Sequence, residues 1–307
     1  MTARDAAPRA IDARRASLGI LLAFLTPALA FYAGFTVYPV LRTFYNAFHT
    51  IKPHNVVEFV GLANFSALLF ADPVFWKAVT NTALFTLVAT IIDVVGGLFL
   101  ALCLFARAPL APMLRIVWFT PVLMSYVVVG ILWVWIFDYD WGLANATLRF
   151  LGLGAWEQSW LGQPATALWS VLAAHEWKWL GFNMIVFLAA LHALPSEVLG
   201  AAELDNCGWF AKLVYVIAPM LKRTIVNLTV LSFIGKMMVF DLVWVMTGGG
   251  PLWSTETVST YVYKRAFEWN TFDLGYPSAI AVLWFLIILA FVALMTRLLR
   301  SRDRLEF

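Results

Sequence analysis

Six long apolar stretches constrain this chain more than any other feature of its sequence. They lie at about 17–37, 80–105, 113–137, 165–191, 225–246 and 279–299. Each approaches the roughly 20 residues that a helix needs to cross about 30 Å of hydrocarbon. Only 13% of the residues are charged, against about 25% in a typical soluble domain. Because so few charges cannot cover a water-exposed surface, the sequence predicts a protein that crosses a membrane several times.

The predicted fold is all-α, a single transmembrane domain over 1–307 with six transmembrane helices. Backbone polar groups in lipid must be satisfied internally, and the stretches are continuously apolar instead of alternating as barrel strands do. At the first stretch, Arg14-Arg15 and Ala28-Leu29-Ala30 have the features of a signal peptide. The apolar run continues to Val37, beyond the length of a signal core, which favours a retained first helix.

Lysine and arginine predict the orientation, because they are enriched on the cytoplasmic side. With the N-terminus in the cytoplasm, that side holds most of them: Arg4, Arg9, Arg14, Arg15, Arg107, Arg115, Lys212, Lys222, Arg223, Arg297, Arg300, Arg302 and Arg304. The other side holds fewer: Arg42, Lys52, Lys77, Arg149, Lys264 and Arg265. This bias predicts a multi-pass protein of the bacterial cytoplasmic (inner) membrane with both termini in the cytoplasm. The polar segment 194–222 then lies there too.

The sequence contains no G-x-x-x-x-G-K-[ST] phosphate loop, so any ATP would be bound by a separate subunit. An enzyme is also not indicated, since the spans lack a paired nucleophile and base or a set of metal ligands. His175 and His192 have no partner at ligand spacing. The sequence therefore predicts a non-catalytic protein that holds no cofactor and no metal, with nothing to indicate nucleic-acid binding.

The segment 194–222 predicts two short helices. The first follows Pro195, the turn at Asp205-Asn206 suits residues that tolerate left-handed backbone, and the second runs from about Gly208 to Pro219. Its small alanines would allow another protein surface to approach closely. On spacing alone, a solvated hairpin between two spans is an equally good interpretation.

The residues of this segment resemble the EAA loop of ABC importer permeases. The matching pattern is Leu194-Pro195-x-Glu197, then Ala201-Ala202-x-x-Asp205, with Ile217-x-Pro219 beyond. In that family the loop is a coupling helix that docks on the ATP-binding subunit. Gly200 stands where the family has Glu, and Asn206 where it has Gly. The resemblance implies coupling through Gly200, Ala201, Ala202, Glu203, Asp205, Asn206 and Gly208.

Further matches run along nearly the whole chain: Tyr38-Pro39, Phe59-Val60-Gly61-Leu62-x-Asn64-Phe65, Trp76-x-x-x-x-Asn81-Thr82, Thr247-Gly248-Gly249-Gly250-Pro251, Tyr263-x-x-Ala266-Phe267 and Gly275-Tyr276. Together they resemble the first-permease subunit of the carbohydrate-uptake branch, the maltose and glycerol-3-phosphate type. This resemblance implies a second permease subunit, two ATP-binding subunits that hold ATP and Mg²⁺, an extracytoplasmic solute-binding protein and a sugar substrate.

Several charged side chains fall within the apolar stretches, where each costs about 2.5–3.5 kcal/mol at the bilayer centre unless it faces a cavity or partner. Asp93 beside Gly96-Gly97 is predicted to be a helix-packing contact. The cluster around His175 suits either sugar contact or pairing between helices, because aromatic faces stack on sugars and charged groups bind hydroxyls. Candidates for the substrate path from this cluster are Glu176, Trp177 and Lys178. The resemblance to the importer family, in which the fifth helix and its neighbours line the path, implies five more: Ser232, Lys236, Met237, Asp241 and Trp244.

The loop Gly248-Gly249-Gly250-Pro251 is a candidate outer gate or docking edge for a binding protein, or a plain surface turn. Only Lys178 and Lys236 are available to bind a phosphate, which favours a neutral or weakly polar carbohydrate. The alternative function is a secondary transporter that couples ions through the intramembrane charges. Secondary transporters usually have more spans with internal repeats, which are not evident here.

Overall fold

The computed structural model describes residues 18–52, 56–106, 110–269 and 273–299. Helices dominate these residues, as predicted, and the fold class is confirmed. One small antiparallel hairpin pairs β1 (His49–Lys52) with β2 (Val56–Phe59). Basic residues of the predicted cytoplasmic side that lie outside the described residues are Arg4, Arg9, Arg14, Arg15, Arg107, Arg300, Arg302 and Arg304.

The helices follow one another along the whole described chain. In order they are α1 (Leu18–Tyr32), α2 (Tyr38–Ala47), α3 (Ala63–Ala71), α4 (Pro73–Ile91), α5 (Gly97–Phe105), α6 (Ala111–Phe119), α7 (Tyr126–Ile136), α8 (Leu143–Phe150), α9 (Ala167–His192), α10 (Ser196–Leu204), α11 (Trp209–Lys212), α12 (Ala218–Met220), α13 (Lys222–Met237), α14 (Asp241–Thr247), α15 (Val258–Tyr263) and α16 (Gly275–Leu299). Shorter 3-10 turns lie at Thr120–Leu123 and Gly154–Trp156. Wide π turns lie at Ala33–Val37, Ile92–Gly96, Leu213–Ile217 and Lys264–Glu268.

Three helical stretches are each long and apolar enough to cross a membrane: Ala23–Ala47, Pro73–Phe105 and Gly275–Arg297. Three more pairs of helices qualify only together, and each is sharply bent at a short break. These pairs are Ala111–Leu123 with Tyr126–Ile136 (105°), Ala167–His192 with Ser196–Leu204 (78°), and Trp209–Met220 with Lys222–Met237 (73°). Counting one span for each pair gives six in the described part of the chain, the number predicted, with Ser196–Leu204 and Trp209–Met220 lying in the predicted 194–222 loop.

The first two spans are longer than predicted. In the first span, helical backbone continues through the π turn Ala33–Val37 into α2. Pro39 lies in the first turn of α2, where the missing proline N–H is tolerated. The second span begins at Pro73 instead of residue 80. Asp72 caps this helix by accepting a hydrogen bond from the Phe75 N–H at 3.0 Å.

The third predicted span, 113–137, is not one straight helix. Pro121 lies in the 3-10 turn, Met124 is extended, and Ser125 caps α7 by accepting from the Val128 N–H at 3.3 Å. A proline followed closely by a capping serine therefore ends one helix and starts another. The bend interrupts the helical hydrogen bonds of the third span, so backbone carbonyls at the bend need other donors.

The fifth predicted span, 225–246, is also broken, between α13 and α14. Trp284 Nε1 donates to the Met237 carbonyl at 2.9 Å, and Thr257 Oγ1 donates to the Val239 carbonyl at 3.0 Å. These side chains stabilise the break by satisfying carbonyls that a continuous helix would have bonded itself. The remaining predicted bounds differ less, since α9 covers Ala167–His192 and the last span starts at Gly275.

Helix α9 lies at the centre of the bundle and packs against the second, third and fifth spans. One apolar cluster joins its first half to α4, α7 and α14, and another joins its second half to α5 and α13. Gly97 allows the close approach of α5, because a Cβ there would lie 2.6 Å from the Asn183 Cβ. We call the described segments 48–52, 56–72, 138–166, 238–269 and 273–274 the far end of the bundle. It lies opposite the 194–222 loop, which follows the other end of α9.

Candidate functional site

A buried ion pair joins the second and fifth spans. Asp93 lies in the π turn Ile92–Gly96 and is 1% exposed, and its Oδ2 accepts hydrogen bonds from Lys236 and from Ser232 at 3.0 Å. The π turn is a local departure of a kind often found at functional sites. Asp93 is therefore a member of a charged cluster, which goes beyond the helix-packing contact predicted for it.

A second carboxyl group, that of Glu176 on α9, adjoins this pair. Its Oε1 lies 3.0 Å from Nδ1 of His175. Within the described chain, Oδ1 of Asp93 and Oε2 of Glu176 have no hydrogen-bond partner. Each of the two carboxyl groups therefore keeps one acceptor atom available.

Lys178, predicted either to contact sugar or to pair between helices, contacts the backbone of the third span in this structure. Its ammonium group donates to the carbonyls of Pro121 (3.3 Å), Val122 (2.9 Å) and Met124 (2.6 Å). Those carbonyls belong to the bend of the third span, and an ammonium group has three donors. Lys178 is thus engaged in stabilising the bend, with the Tyr126 ring 5.1 Å away. This geometry argues against a direct contact of Lys178 with substrate.

A cavity of about 300 Å³ lies beside the charged cluster. Its walls combine aromatic rings with polar groups, and Trp179 Nε1 donates to the Tyr126 hydroxyl at 2.6 Å. Asn183 is 1% exposed, and its Oδ1 has no hydrogen-bond partner among the described residues. The lining residues are Asp93, Tyr126, His175, Trp179, Phe182, Asn183, Leu231, Ser232, Gly235 and Lys236. Such a mixture of aromatic and polar groups is typical of sites for small polar molecules.

The structure brings together only part of the predicted substrate path. Ser232 and Lys236 line the cavity, and Glu176 lies behind it. Four other candidates lie elsewhere. Trp177 packs edge-to-face on Trp133 at 5.8 Å, and Met237 is buried in an apolar cluster with α4 and α16.

Asp241 and Trp244 lie beyond the break after α13. The sequence had predicted a continuous helix through this region. Asp241 is exposed at the start of α14, and the Trp244 ring packs on Phe240 and Tyr263 at 5.6 and 4.7 Å. Sequence reasoning missed Tyr126 and Asn183 as cavity residues, whereas His175 and Trp179 belong to the cluster that it had identified as suited to sugar contact or pairing between helices. Their polar groups within apolar stretches were the available signal.

The 194–222 loop presents an exposed helix to solvent. In α10, Leu204 is 87% exposed, whereas Ala202 is buried. Asn206 has φ +52°, which confirms the left-handed turn predicted after Asp205. Glu203 Oε1 accepts from Lys212 Nζ at 2.6 Å, which ties α10 to α11. The loop therefore has a defined shape with an apolar tip.

The glycine-rich loop at the far end is largely packed. Gly249 has φ +88° and is buried, and a Cβ there would lie 2.7 Å from Lys264 Nζ. Glycine is required by both the backbone angle and the lack of space. The exposed tip is instead Leu252, with Trp253 beside it. A docking role would fall to these two residues more than to Gly248–Gly250.

Bent membrane-spanning helices around a polar cavity, with a shaped helical loop at one end, define a polytopic membrane transport subunit. The chain belongs to the family of binding-protein-dependent transport system inner membrane components, which matches residues 93–304.

Two relatives and one solved structure illustrate the family. The chain is 33% identical to the sulfoquinovosyl glycerol transport system permease protein SmoG of Agrobacterium fabrum, over 93% of this chain and 91% of that protein. It is 31% identical to the trehalose/maltose transport system permease protein MalF of Thermococcus litoralis, over 94% and 96%. A chain of a bacterial ABC transporter that imports the acidic polysaccharide alginate has the same fold, with TM-score 0.81, 21% identity and coverage of 93% and 96%.

Proposed function

We propose that the chain is a permease subunit of an ATP-driven, binding-protein-dependent sugar importer. It forms half of the path across the bacterial cytoplasmic membrane, with both termini and the 194–222 loop in the cytoplasm. The family membership, the carbohydrate transport systems named for its relatives and the bias of lysine and arginine towards one side support this proposal.

The observation that carries the proposal is the exposed helix α10. It follows a central span directly, presents Leu204 to solvent and ends in a left-handed turn at Asn206. An apolar tip of this kind fits a groove on another protein. The partner in this proposal is an ATP-binding subunit, of which the complete transporter has two. They hold ATP and Mg²⁺, and this chain performs no hydrolysis.

Two further partners belong to this proposal, one beside the chain in the membrane and one at the far end of the bundle. A second permease subunit supplies the other half, and a solute-binding protein delivers sugar to the far end, where Leu252 is exposed. Closure of the ATP-binding subunits moves α10, and the bends of the third and fifth spans let the helices around the cavity rock. Sugar biases this equilibrium only if its affinity differs between the two states.

A secondary transporter is the second candidate, because the intramembrane groups Asp93, Glu176 and Lys236 are of the type that couples ions. The two candidates differ in what drives uptake. Sugar uptake by this chain alone, driven by a sodium or proton gradient, would establish the second candidate and exclude the first.

The test is to co-express the chain with candidate permease and ATP-binding partners, then measure co-purification and sugar-stimulated ATP hydrolysis. Leu204→Asp places a charge on the apolar tip, and we expect loss of ATP-binding-subunit association with normal membrane insertion. Leu151→Asp is the matched control, because Leu151 is 61% exposed at the far end. It should retain association. Association that survives Leu204→Asp would contradict docking through α10.

A further inference from the structure

We infer that Lys178 is a positioning residue of the transport cycle. Its ammonium group holds the third span bent in one state, and it leaves the bend when that span becomes one continuous helix in the other state. This inference rests on the proposed function, in which the helices around the cavity rock. It adds which side chain holds the movable element and at which residues that element pivots.

The bend of the third span depends on two backbone angles. Its two helical parts, Ala111–Leu123 and Tyr126–Ile136, differ in direction by 105°. A proline such as Pro121 is compatible with a kinked but unbroken helix in a membrane. The break itself lies at Met124 and Ser125, whose ψ angles are 148° and 153°. Because ψ in an α-helix is about −42°, rotation at these two residues converts the bent form into a continuous helix.

Side chains replace both halves of a helical hydrogen bond that the break removes. In a continuous helix the Met124 carbonyl would accept from the Val128 N–H, four residues further on. In this structure Lys178 Nζ donates to that carbonyl at 2.6 Å, and Ser125 Oγ accepts from that N–H at 3.3 Å. The bent and the continuous forms therefore satisfy the same two backbone groups. This is the condition for an element with two stable arrangements.

The ammonium group that leaves the bend has other acceptors. Lys178 Nζ lies 5.1 Å from the Tyr126 ring and 5.5 Å from the Trp179 ring, and both residues line the cavity. Asp93 and Asn183 line the same cavity, and the Oδ1 atom of each has no hydrogen-bond partner in the described part of the chain. A buried ammonium group requires such acceptors. Movement of Nζ into the cavity therefore keeps its charge hydrogen-bonded.

Close packing identifies the part of the span that moves. Helix α6 is fixed against α9, because a Cβ at Gly181 would overlap the Trp118 carbonyl oxygen. Helix α7 packs mainly on α14, and a Cβ at Gly130 would lie 2.6 Å from Val245 Cγ1. Both α7 and α14 follow a break in their span. Rotation at the bend therefore moves α7 and α14 together, relative to α6 and α9.

A distance between two spin labels tests whether the span adopts both forms. The labels replace Met113 and Trp135, which are 60% and 57% exposed on the two arms, after Cys103 and Cys207 are changed to serine. Their Cα atoms should lie about 33 Å apart in a continuous helix and about 20 Å apart across the 105° bend. In the complete transporter in nanodiscs, we expect a non-hydrolysable ATP analogue to change the ratio of the two distances at least about threefold. A single distance, the same with and without the analogue, would overturn the inference.

Substitutions at residue 178 separate positioning from simple packing. Lys178→Met keeps the length of the side chain and removes its donors. The long distance should then dominate, and sugar-stimulated ATP hydrolysis should lose at least about tenfold in kcat with an unchanged KM for ATP. Lys178→Arg keeps donors and should restore the short distance and most of the kcat. Lys77→Met is the matched control, because Lys77 is exposed, and it should change neither. A folded Lys178→Met protein with the parent distances would contradict the assigned role.

A double-mutant cycle tests the exchange of hydrogen bonds. Ser125→Ala removes the acceptor of the Val128 N–H, and Lys178→Met removes the donor to the Met124 carbonyl. If the bend persists without these side chains, the two losses of Tm add. If the span becomes continuous, its backbone satisfies both groups, and Ser125→Ala has no further effect on Tm in the Lys178→Met protein. We expect the second result, and additive losses would refute the exchange.

Failure of this inference can be distinguished from failure of the proposed function. The double-mutant cycle and the label distances of the Lys178 variants are measured on the purified chain. If no ATP-binding subunit co-purifies, the proposed function fails, while these measurements still decide whether Lys178 holds the bend. If the Lys178→Met protein does not fold, the label distances of the parent with and without the ATP analogue decide the question.

Discussion

The far end of the bundle and the 194–222 loop are stabilised in opposite ways. At the far end, Asp72 accepts hydrogen bonds from Tyr261 and from Tyr276 at 2.5 Å, with Arg265 at 3.5 Å. The Arg265 guanidinium also lies over the Tyr276 ring at 4.4 Å. Asp72 is 9% exposed. This network joins the start of the second span to α15 and α16.

The 194–222 loop has few such contacts among the described residues. An ion pair between Glu203 and Lys212 lies at the surface of the loop, and the apolar or aromatic side chains of Leu204, Trp209, Phe210 and Tyr215 are exposed. Surface ion pairs contribute little, and exposed apolar groups favour a partner. The far end is thus held together by buried polar contacts within the chain, whereas the loop leaves apolar side chains exposed, as the proposed docking on an ATP-binding subunit requires.

The largest expected effect follows from Asp72→Ala. This change removes the shared acceptor of two tyrosine hydroxyl groups and leaves Arg265 beside an apolar side chain, at a cost of about 3 kcal/mol or more. We expect a clear fall in Tm of the detergent-purified protein. Asp140→Ala is the matched control, because Asp140 is exposed at the same end. An equal Tm for the two variants would show that the Asp72 network does not stabilise the far end.

The structure of the far end also predicts a pH dependence. Burial raises the pKa of Asp72, but hydrogen bonds from Tyr261, Tyr276 and the Phe75 N–H lower it by more, so its net pKa is below the ordinary value. A depressed carboxyl pKa stabilises the fold above the unfolded value of about 3.9, and the stabilisation is lost as pH falls through the folded value. The Tm difference between the parent and Asp72→Asn should therefore be constant above about pH 5 and shrink below about pH 4. A constant difference down to pH 3 would contradict this.

The number of spans and the position of the 194–222 loop could be predicted, because apolar length and charge bias act locally along the sequence. The breaks in the third and fifth spans were missed, although Pro121 and Ser125 are local signals. Each break is stabilised by distant side chains, Lys178 in one case and Trp284 in the other. Local propensity indicates that a helix can end, and only tertiary contacts decide whether it does.

The candidate site was predicted only in part for the same reason. Ser232 and Lys236 were identified because the fifth helix lines the substrate path in the family that the sequence resembles. Their partner Asp93 lies 139 residues from Ser232 and 143 residues from Lys236 along the chain, so no spacing rule pairs them. Lys178 was a candidate for sugar contact or for pairing between helices because of its charge, and its partners are carbonyls of a bend that was not predicted.

Within α10, two neighbouring substitutions separate the packed side of the loop from its open side. Ala202 is buried, so Ala202→Asp should detach α10 from the body and abolish coupled uptake. Gly200→Glu should be tolerated, because no atom lies within 4 Å of a Cβ there. Glutamate is also a better helix former than glycine by about 0.5–1 kcal/mol. Coupled uptake and protease resistance of the loop measure both, and equal loss in the two variants would contradict the orientation of α10.

The smallest effect should come from Glu203→Gln. The hydrogen bond from Lys212 and the charge of that lysine lower the pKa of Glu203, but Glu203 is exposed at the loop surface. Because solvent screens such a pair, we expect no measurable change in Tm and normal association with ATP-binding subunits. Lys212→Gln should behave in the same way. If either variant loses ATP-driven uptake while its Tm is unchanged, the ion pair contributes to docking on the partner, and the loop depends on polar contacts as well as on its apolar tip.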